Sequence, residues 1–183
     1  MGVGGIGINA VQGAAHAGAG HVIAVDPVAG KREAAAKLGA TETFGSIAEA
    51  TEFARSVTNG QGADSTIIAV GVLSGEHVGQ AFESVRKAGT VVVTAVAPMA
   101  IGSIPVSPFA LAMFEKRIQG CLYGSMSPSA DVPRLLAMYE NGQLKLDELV
   151  TSTYSLDEIN VGYQDMHAGR NIRGVIDFAA GGV

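Results

Sequence analysis

The sequence predicts an α/β fold in which helices wind around a parallel β-sheet. Three observations carry that prediction. Short β-branched apolar runs alternate with alanine-rich stretches of helical spacing, the pattern of successive βαβ units. The chain opens on GVGGIG, so Gly2, Gly4 and Gly7 match G-x-G-x-x-G. Asp26 stands 19 residues beyond Gly7, at the end of the apolar run HVIAV. Together they describe a doubly wound, Rossmann-type parallel sheet with a small C-terminal α+β tail.

The elements follow in order. Residues 5–18 are small and apolar, with Ile6, Ala10, Val11, Ala14 and Ala17 at helical spacing. Residues 21–25 form a continuous apolar run, which reads as a strand buried on both faces. A helix follows over Ala29 to Leu38, with Gly39 as its left-handed cap. Glu42 to Phe44 is a short strand and Ile47 to Val57 a second amphipathic helix. A turn at Asn59, Gly60 and Gly62 leads into a strand ending near Val70 and a helix from Gly75 to Arg86. Thr90 to Val96 (TVVVTAV) is the strongest strand signal in the chain.

Beyond it Pro98, Gly102, Pro105 and Pro108 break the rhythm into loop and a short edge strand. A helix (Phe109 to Lys116) and a strand (Ile118 to Leu122) follow. Composition changes at Tyr123, which places a boundary there: residues 1–122 are expected to form the dinucleotide-binding domain, and 123–183 the C-terminal piece of a second, catalytic domain implied by the resemblance given below. That piece reads as a helix (Asp131 to Glu140, capped by Gly142), a strand (Leu149 to Tyr154), a helix (Leu156 to Met166) and a strand (Ile172 to Phe178).

Composition excludes several classes. Hydrophobic residues reach 48% and charged ones only 16%, the reverse of a disordered chain. With 183 residues the chain can bury a sizeable core. Its net charge of -5, without any basic run, excludes a nucleic-acid footprint. Cys121 is the only cysteine, so there is neither an internal disulfide nor a multi-thiolate metal site. The glycine-interrupted start lacks the basic residues of a signal peptide and the length of a membrane span. A soluble cytoplasmic protein is expected.

The glycine loop has a specific physical use. The first glycine permits a tight turn, the second lets backbone approach a pyrophosphate, and the third lets helix pack closely on strand. The helix N-terminus then favours the phosphate charge. Asp26 has two readings: an acceptor for both ribose hydroxyls of NAD that repels the 2′-phosphate of NADP, or a turn former before Pro27. The motif also expects a strand directly before its first glycine, and only Met1 precedes Gly2. The sheet is therefore expected to lack its first strand, and the chain to be truncated at its N-terminus.

GVGGIG, HVIAVDP, LGATETF, KAGTVVV and NIRGVIDF, in this order, resemble zinc-dependent alcohol dehydrogenases of the medium-chain dehydrogenase superfamily. VDPVAGKRE and GQLKLDELVTSTYSLDEINVGYQDM look most like the nicotinoprotein branch, which uses N,N-dimethyl-4-nitrosoaniline as an artificial acceptor. The resemblance implies that Gly2, Gly4, Gly5 and Gly7 form the pyrophosphate turn and Asp26 binds the adenosine ribose. Lys31 would reach that ribose or a phosphate, or else be an ordinary helix lysine. Val70 and Gly71 would line the adenine pocket, and Thr94 and Val96 would lie near the nicotinamide. Tyr123 would offer backbone to the carboxamide. Arg173 would pair with the pyrophosphate, or else be a surface arginine.

The family's zinc ligands lie in a catalytic domain upstream of the glycine loop, so the resemblance implies zinc only in a full-length enzyme. No catalytic or metal residue is assigned in this chain; His16, His21, His77 and His167 are too scattered for a ligand set. Two functional classes remain. One is the NAD-binding portion of an alcohol dehydrogenase, inactive in isolation; the other is a stand-alone nucleotide-binding or interaction module. A Tyr-x-x-x-Lys reductase is excluded because none of the four tyrosines has a lysine four residues on. A P-loop is excluded because Gly30-Lys31 is followed by Arg32. The apolar stretch Met99 to Pro108 is expected to mediate homo-oligomerisation, since it corresponds to the family's dimer edge.

Overall fold

The computed structural model describes residues 1–179. They form two compact units, Met1–Ser127 and the unit that begins at Pro128. In the first unit the elements are α1 (Gly7–His16), β1 (Ile23–Val25), α2 (Ala29–Lys37), β2 (Glu42–Phe44), α3 (Ile47–Val57) and β3 (Ala63–Ile68). They continue as α4 (Gly75–Ser84), β4 (Val85–Val93), α5 (Pro108–Met113) and β5 (Arg117–Gly120). The second unit holds α6 (Pro128–Glu140), β6 (Val150–Tyr154), α7 (Ile159–His167) and β7 (Arg173–Ile176).

All pairings in the first unit are parallel, as βαβ connections require. β1 pairs with β2, and β3, β4 and β5 form a separate three-stranded ladder. Met1 and Gly2 join the two. The Met1 amino group donates to the Ile67 carbonyl at 2.9 Å, Ala69 N–H donates to the Met1 carbonyl at 2.8 Å, and Gly2 N–H donates to the Val25 carbonyl at 2.8 Å. Met1 thus takes the strand position between β1 and β3, immediately before the glycine turn. The fold is that of a Rossmann-type sheet, with the order β2-β1-Met1-β3-β4-β5.

The core of this unit gathers Ile68, Leu73, Val78, Ala81, Phe82, Val85 and Val91 between α4 and the sheet. Helix starts follow local chemistry. Ser46 and Glu49 form a reciprocal capping box at α3, and Ser74 caps α4 with His77 as its return partner. Gly39 and Gly142 close α2 and α6 with φ of 113° and 70°, the left-handed conformation expected of both.

The expected edge strand among the prolines is absent: residues 94–107 are loop. Pro98 and Pro105 lack the amide donors a ladder needs. β4 also begins at Val85, before its expected start at Thr90, because a short bridge of Val85 to Ala63 precedes a register shift and the main ladder from Thr90.

In the second unit β6 and β7 pair in parallel, with α7 between them in sequence. The buried Tyr154 organises it: its hydroxyl donates to Asp165 at 2.8 Å and accepts from Asn171 at 3.1 Å. Gly162 and Gly174 lie against its ring.

Candidate functional site

The C-terminal ends of β1 and β3 meet at the glycine turn. Gly2 has a φ of 78°, and a Cβ there would lie 2.8 Å from the Ala69 carbonyl oxygen and from Val70 N. A Cβ on Gly7 would collide with the Gly2 carbonyl. These two glycines are required by the protein's own packing. Gly4 is different, because a Cβ there would meet no atom within 4 Å. Its side faces open space, where a ligand's phosphates would approach backbone.

The turn runs into α1, whose start has no side-chain cap. Among the described residues, the backbone N–H groups of Gly4, Gly5, Ile6 and Gly7 have no protein acceptor, whereas the next amide, that of Ile8, donates to the Gly4 carbonyl at 2.9 Å. A set of free amides at a helix N-terminus is an anion site, since amide dipoles and macrodipole act in the same sense. The residues present therefore fit a pyrophosphate.

Asp26 is buried at 6% exposure, immediately after β1. One carboxylate oxygen accepts from Val3 N–H at 3.0 Å, the other from Val28 N–H at 2.9 Å. It thus clasps the glycine turn to the end of β1 and also makes the local turn at Pro27. Arg32 completes this corner and is not among the predicted site residues: its Nη1 donates to the carbonyls of Asp26 at 2.7 Å and Pro27 at 2.9 Å. The sequence signal was a guanidinium six residues after the acid, within GKRE, on the first turns of α2.

The other predicted residues are placed unevenly. Lys31 is half-buried on α2, one residue before Arg32. Val70 adjoins the Gly2 turn, and Gly71 is exposed beside it. Thr94 follows β4 and donates from its hydroxyl to the Ile68 carbonyl at 2.8 Å, which ties the ends of β3 and β4 together. Val96 is 80% exposed while its carbonyl accepts from Leu73 N–H. Tyr123 is exposed and opens a run of three left-handed residues, with φ of 52° at Tyr123, 71° at Gly124 and 52° at Ser125. Strained backbone of this kind concentrates at functional loops. Arg173 lies exposed on β7, in the second unit.

Residues 5–141 match the family model of the zinc-binding dehydrogenases, and the chain belongs to that family. It is 52% identical over 179 residues to the NDMA-dependent alcohol dehydrogenase of Amycolatopsis methanolica, covering 98% of this chain and 48% of that relative. The crystal structure of benzyl alcohol dehydrogenase from Acinetobacter calcoaceticus matches with a TM-score of 0.84 at 29% identity, over 96% of this chain and 47% of that one. A solved structure from Sinorhizobium meliloti 1021, described as a zinc-binding dehydrogenase bound to NADP, matches with a TM-score of 0.73 at 30% identity, over 87% of this chain and 45% of that one. The chain spans about half the length of the curated relatives it matches.

The family name implies zinc. Among the described residues no three His, Cys, Asp or Glu side chains gather closely enough to hold a metal ion, and Cys121 is half-buried without a second thiol. These residues do not fit a zinc site.

Proposed function

We propose that the first unit binds NAD on the Gly2–Gly7 turn, as the nucleotide-binding portion of an alcohol dehydrogenase. The observation that carries this reading is Gly4: it faces open space beside four unpartnered amides at the start of α1, so its lack of a side chain serves a ligand. NAD, when bound, supplies a nicotinamide carbon that accepts hydride from an alcohol. The amides of Gly4 to Gly7 hold the pyrophosphate, and Asp26 receives the adenosine ribose. An ionised carboxylate has about four lone-pair sites, and the backbone amides of Val3 and Val28 use two. Arg32 is engaged by two carbonyls, which leaves Asp26 to repel a 2′-phosphate and favours NAD over the NADP of the Sinorhizobium structure. Lys31, Val70, Gly71, Thr94, Val96 and Tyr123 complete the first unit's cofactor site in this reading.

Two further parts belong to the same proposal. The isolated chain does not oxidise alcohols: a hydroxyl with a pKa of about 16 needs an activating group, and neither a metal cluster nor a Tyr-x-x-x-Lys pair is found among the described residues. The chain also self-associates through residues 99–108, where Met99 is fully exposed and Ile101 and Ile104 are partly so.

Saturation-transfer NMR with NAD tests the cofactor reading even at weak affinity. Gly4→Val is expected to weaken NAD binding by at least about tenfold, or ~1.4 kcal/mol, while the melting temperature stays unchanged. Wild-type binding by Gly4→Val would sink the assignment. Asp26→Gly is expected to relax the preference for NAD over NADP. Reduced nicotinamide formed by the isolated chain from primary alcohols and zinc would overturn its inactivity.

A further inference from the structure

Arg32 brings an unpaired cation to the corner that Asp26 forms at the end of β1. Its Nη1 donates to the Asp26 and Pro27 carbonyls at 2.7 and 2.9 Å, so the guanidinium lies against the backbone of the acid itself. Those two bonds engage one nitrogen. Nε and Nη2 have no acceptor among the described residues, and the side chain is only half-buried. None of the ion pairs among the described residues includes Arg32.

The nearby acids are turned elsewhere. Asp26 gives one carboxylate oxygen to Val3 N–H and the other to Val28 N–H, and Glu49 gives its Oε2 to the N–H and hydroxyl of Ser46. Gly45, just after β2, keeps one side of the guanidinium bare: a Cβ there would lie 3.9 Å from Nη1 and 3.7 Å from Glu49 Oε2. Nε–H and Nη2–H form one edge of the guanidinium, a fork that matches two oxygens of a single phosphate. Because Nη1 already holds the side chain on the backbone, little freedom is left to lose when that fork is filled.

We propose that Arg32 is a specificity-determining residue, which receives the 2′-phosphate of an adenosine nucleotide and narrows the preference that Asp26 sets for NAD; this rests on the reading that Asp26 receives the adenosine ribose. A 2′-phosphate replaces the hydroxyl that the carboxylate accepts, so its oxygens arrive where the guanidinium is anchored. Two interactions of opposite sign then act on one group: Asp26 repels it and Arg32 attracts it. NAD stays the better ligand, by less than the carboxylate alone would impose. Lys31, the preceding residue, offers a point charge to either nucleotide and no fork.

The test compares 2′,5′-ADP with 5′-AMP on the whole chain by NMR titration, since the two probes differ only in the 2′-phosphate. Arg32→Gln keeps a side-chain N–H for the carbonyls and removes the charge. It is expected to weaken 2′,5′-ADP binding about tenfold and 5′-AMP binding by no more than about twofold. Arg32→Lys, which keeps the charge without the fork, is expected to fall between Arg32→Gln and the wild type. On the wild-type chain the Arg32 Nε–H resonance is expected to shift with 2′,5′-ADP and to stay in place with 5′-AMP, a readout that needs no variant to fold. Equal losses for the two probes would make Arg32 a support of the corner alone and would overturn the proposal. So would unchanged 2′,5′-ADP binding in Arg32→Gln, or an unmoved resonance, while 5′-AMP still binds. A wild-type chain that binds neither 5′-AMP nor NAD would sink the cofactor reading itself, and this proposal with it.

Discussion

At the scale of single residues, Asp26 shows how structure and binding share one side chain. The same carboxylate that would receive a ribose holds Val3 and Val28 by their amides. Removing it leaves the buried Val3 amide unpaired, at a cost of about 1–3 kcal/mol, and the part-buried Val28 amide at a smaller one. Asp26→Ala is therefore expected to destabilise the fold by about 2–4 kcal/mol in urea titration. No loss of stability would mean the clasp is not formed. The preference between NAD and NADP must then be read as a ratio of affinities, because absolute affinity also registers the loosened turn.

Met1 makes a second residue-scale prediction. Burial holds its amino group down at about 6 against an ordinary 8.0, and the Asp26 carboxylate opposes the shift. The unfolded chain therefore takes up this proton first as pH falls from 8 to 6. Stability from this group is complete above pH 8 and declines towards pH 6, by on the order of 2–3 kcal/mol. Urea midpoints at the two ends of that window check it, and acetylation of the amine is expected to flatten the profile. An unchanged midpoint in the free-amine chain would count against the buried amine.

At the scale of elements, two glycines inside regular elements, one in a strand and one in a helix, have opposite roles. Gly174 on β7 would place a Cβ 2.8 Å from Tyr154 Cε2 and 3.1 Å from Asn171 Nδ2. Tyr154 is buried and tied by hydrogen bonds to Asp165 and Asn171, so its ring has little freedom to retreat. Gly174→Ala is expected to cost about 1–3 kcal/mol through overpacking. Gly13 in α1 has nothing within 4 Å of a Cβ and an ordinary helical φ. Gly13→Ala is expected to add about 0.5–1 kcal/mol of stability through helix propensity and lower unfolded-state entropy. Thermal melts of the pair distinguish the two, and equal shifts would refute the packing argument.

The elements themselves were largely legible in the sequence. α1 to α3 and the strands between them follow apolar periodicity with caps at Ser46 and Gly39. The proline-rich segment 94–107 was not, since apolar composition suggests a strand while missing amides prevent one. His77 reads as an ordinary surface histidine, yet its Nδ1 accepts from Ser74 N–H at 3.1 Å and closes a helix cap. The signal was present as Ser-x-x-His, a variant of the usual capping box.

At the scale of the whole molecule, self-association is the open quantity. Met99, Ile104, Phe109 and Met113 are exposed near the β5 side of the sequence, and β5 pairs only with β4 among the described residues. An apolar segment next to an unpaired strand edge favours association. Light scattering at micromolar concentration is expected to report a dimer or larger assembly. A clean monomer, or a dimer unaffected by Met99→Lys with Ile104→Lys, would refute this surface as the contact.

The sequence by itself determined the order of strands and helices, the glycine turn and the acid at the end of β1. Each of these is local: periodicity, caps and spacing act within about 20 residues, the range over which the dinucleotide fingerprint is defined. Family membership was legible for the same reason, because the motifs recur in order along the chain. Only tertiary structure decided what each glycine is for. Gly7 answers to Gly2, Gly2 answers to Ala69 and Val70 across the sheet, and Gly4 answers to no protein atom. Only tertiary structure showed Arg32 anchored on the Asp26 and Pro27 carbonyls, and Met1 joining β1 to β3. Those contacts bring together residues up to 68 positions apart. Their cause is the closing of backbone hydrogen bonds between strands, a requirement every residue shares and that no residue's identity therefore records.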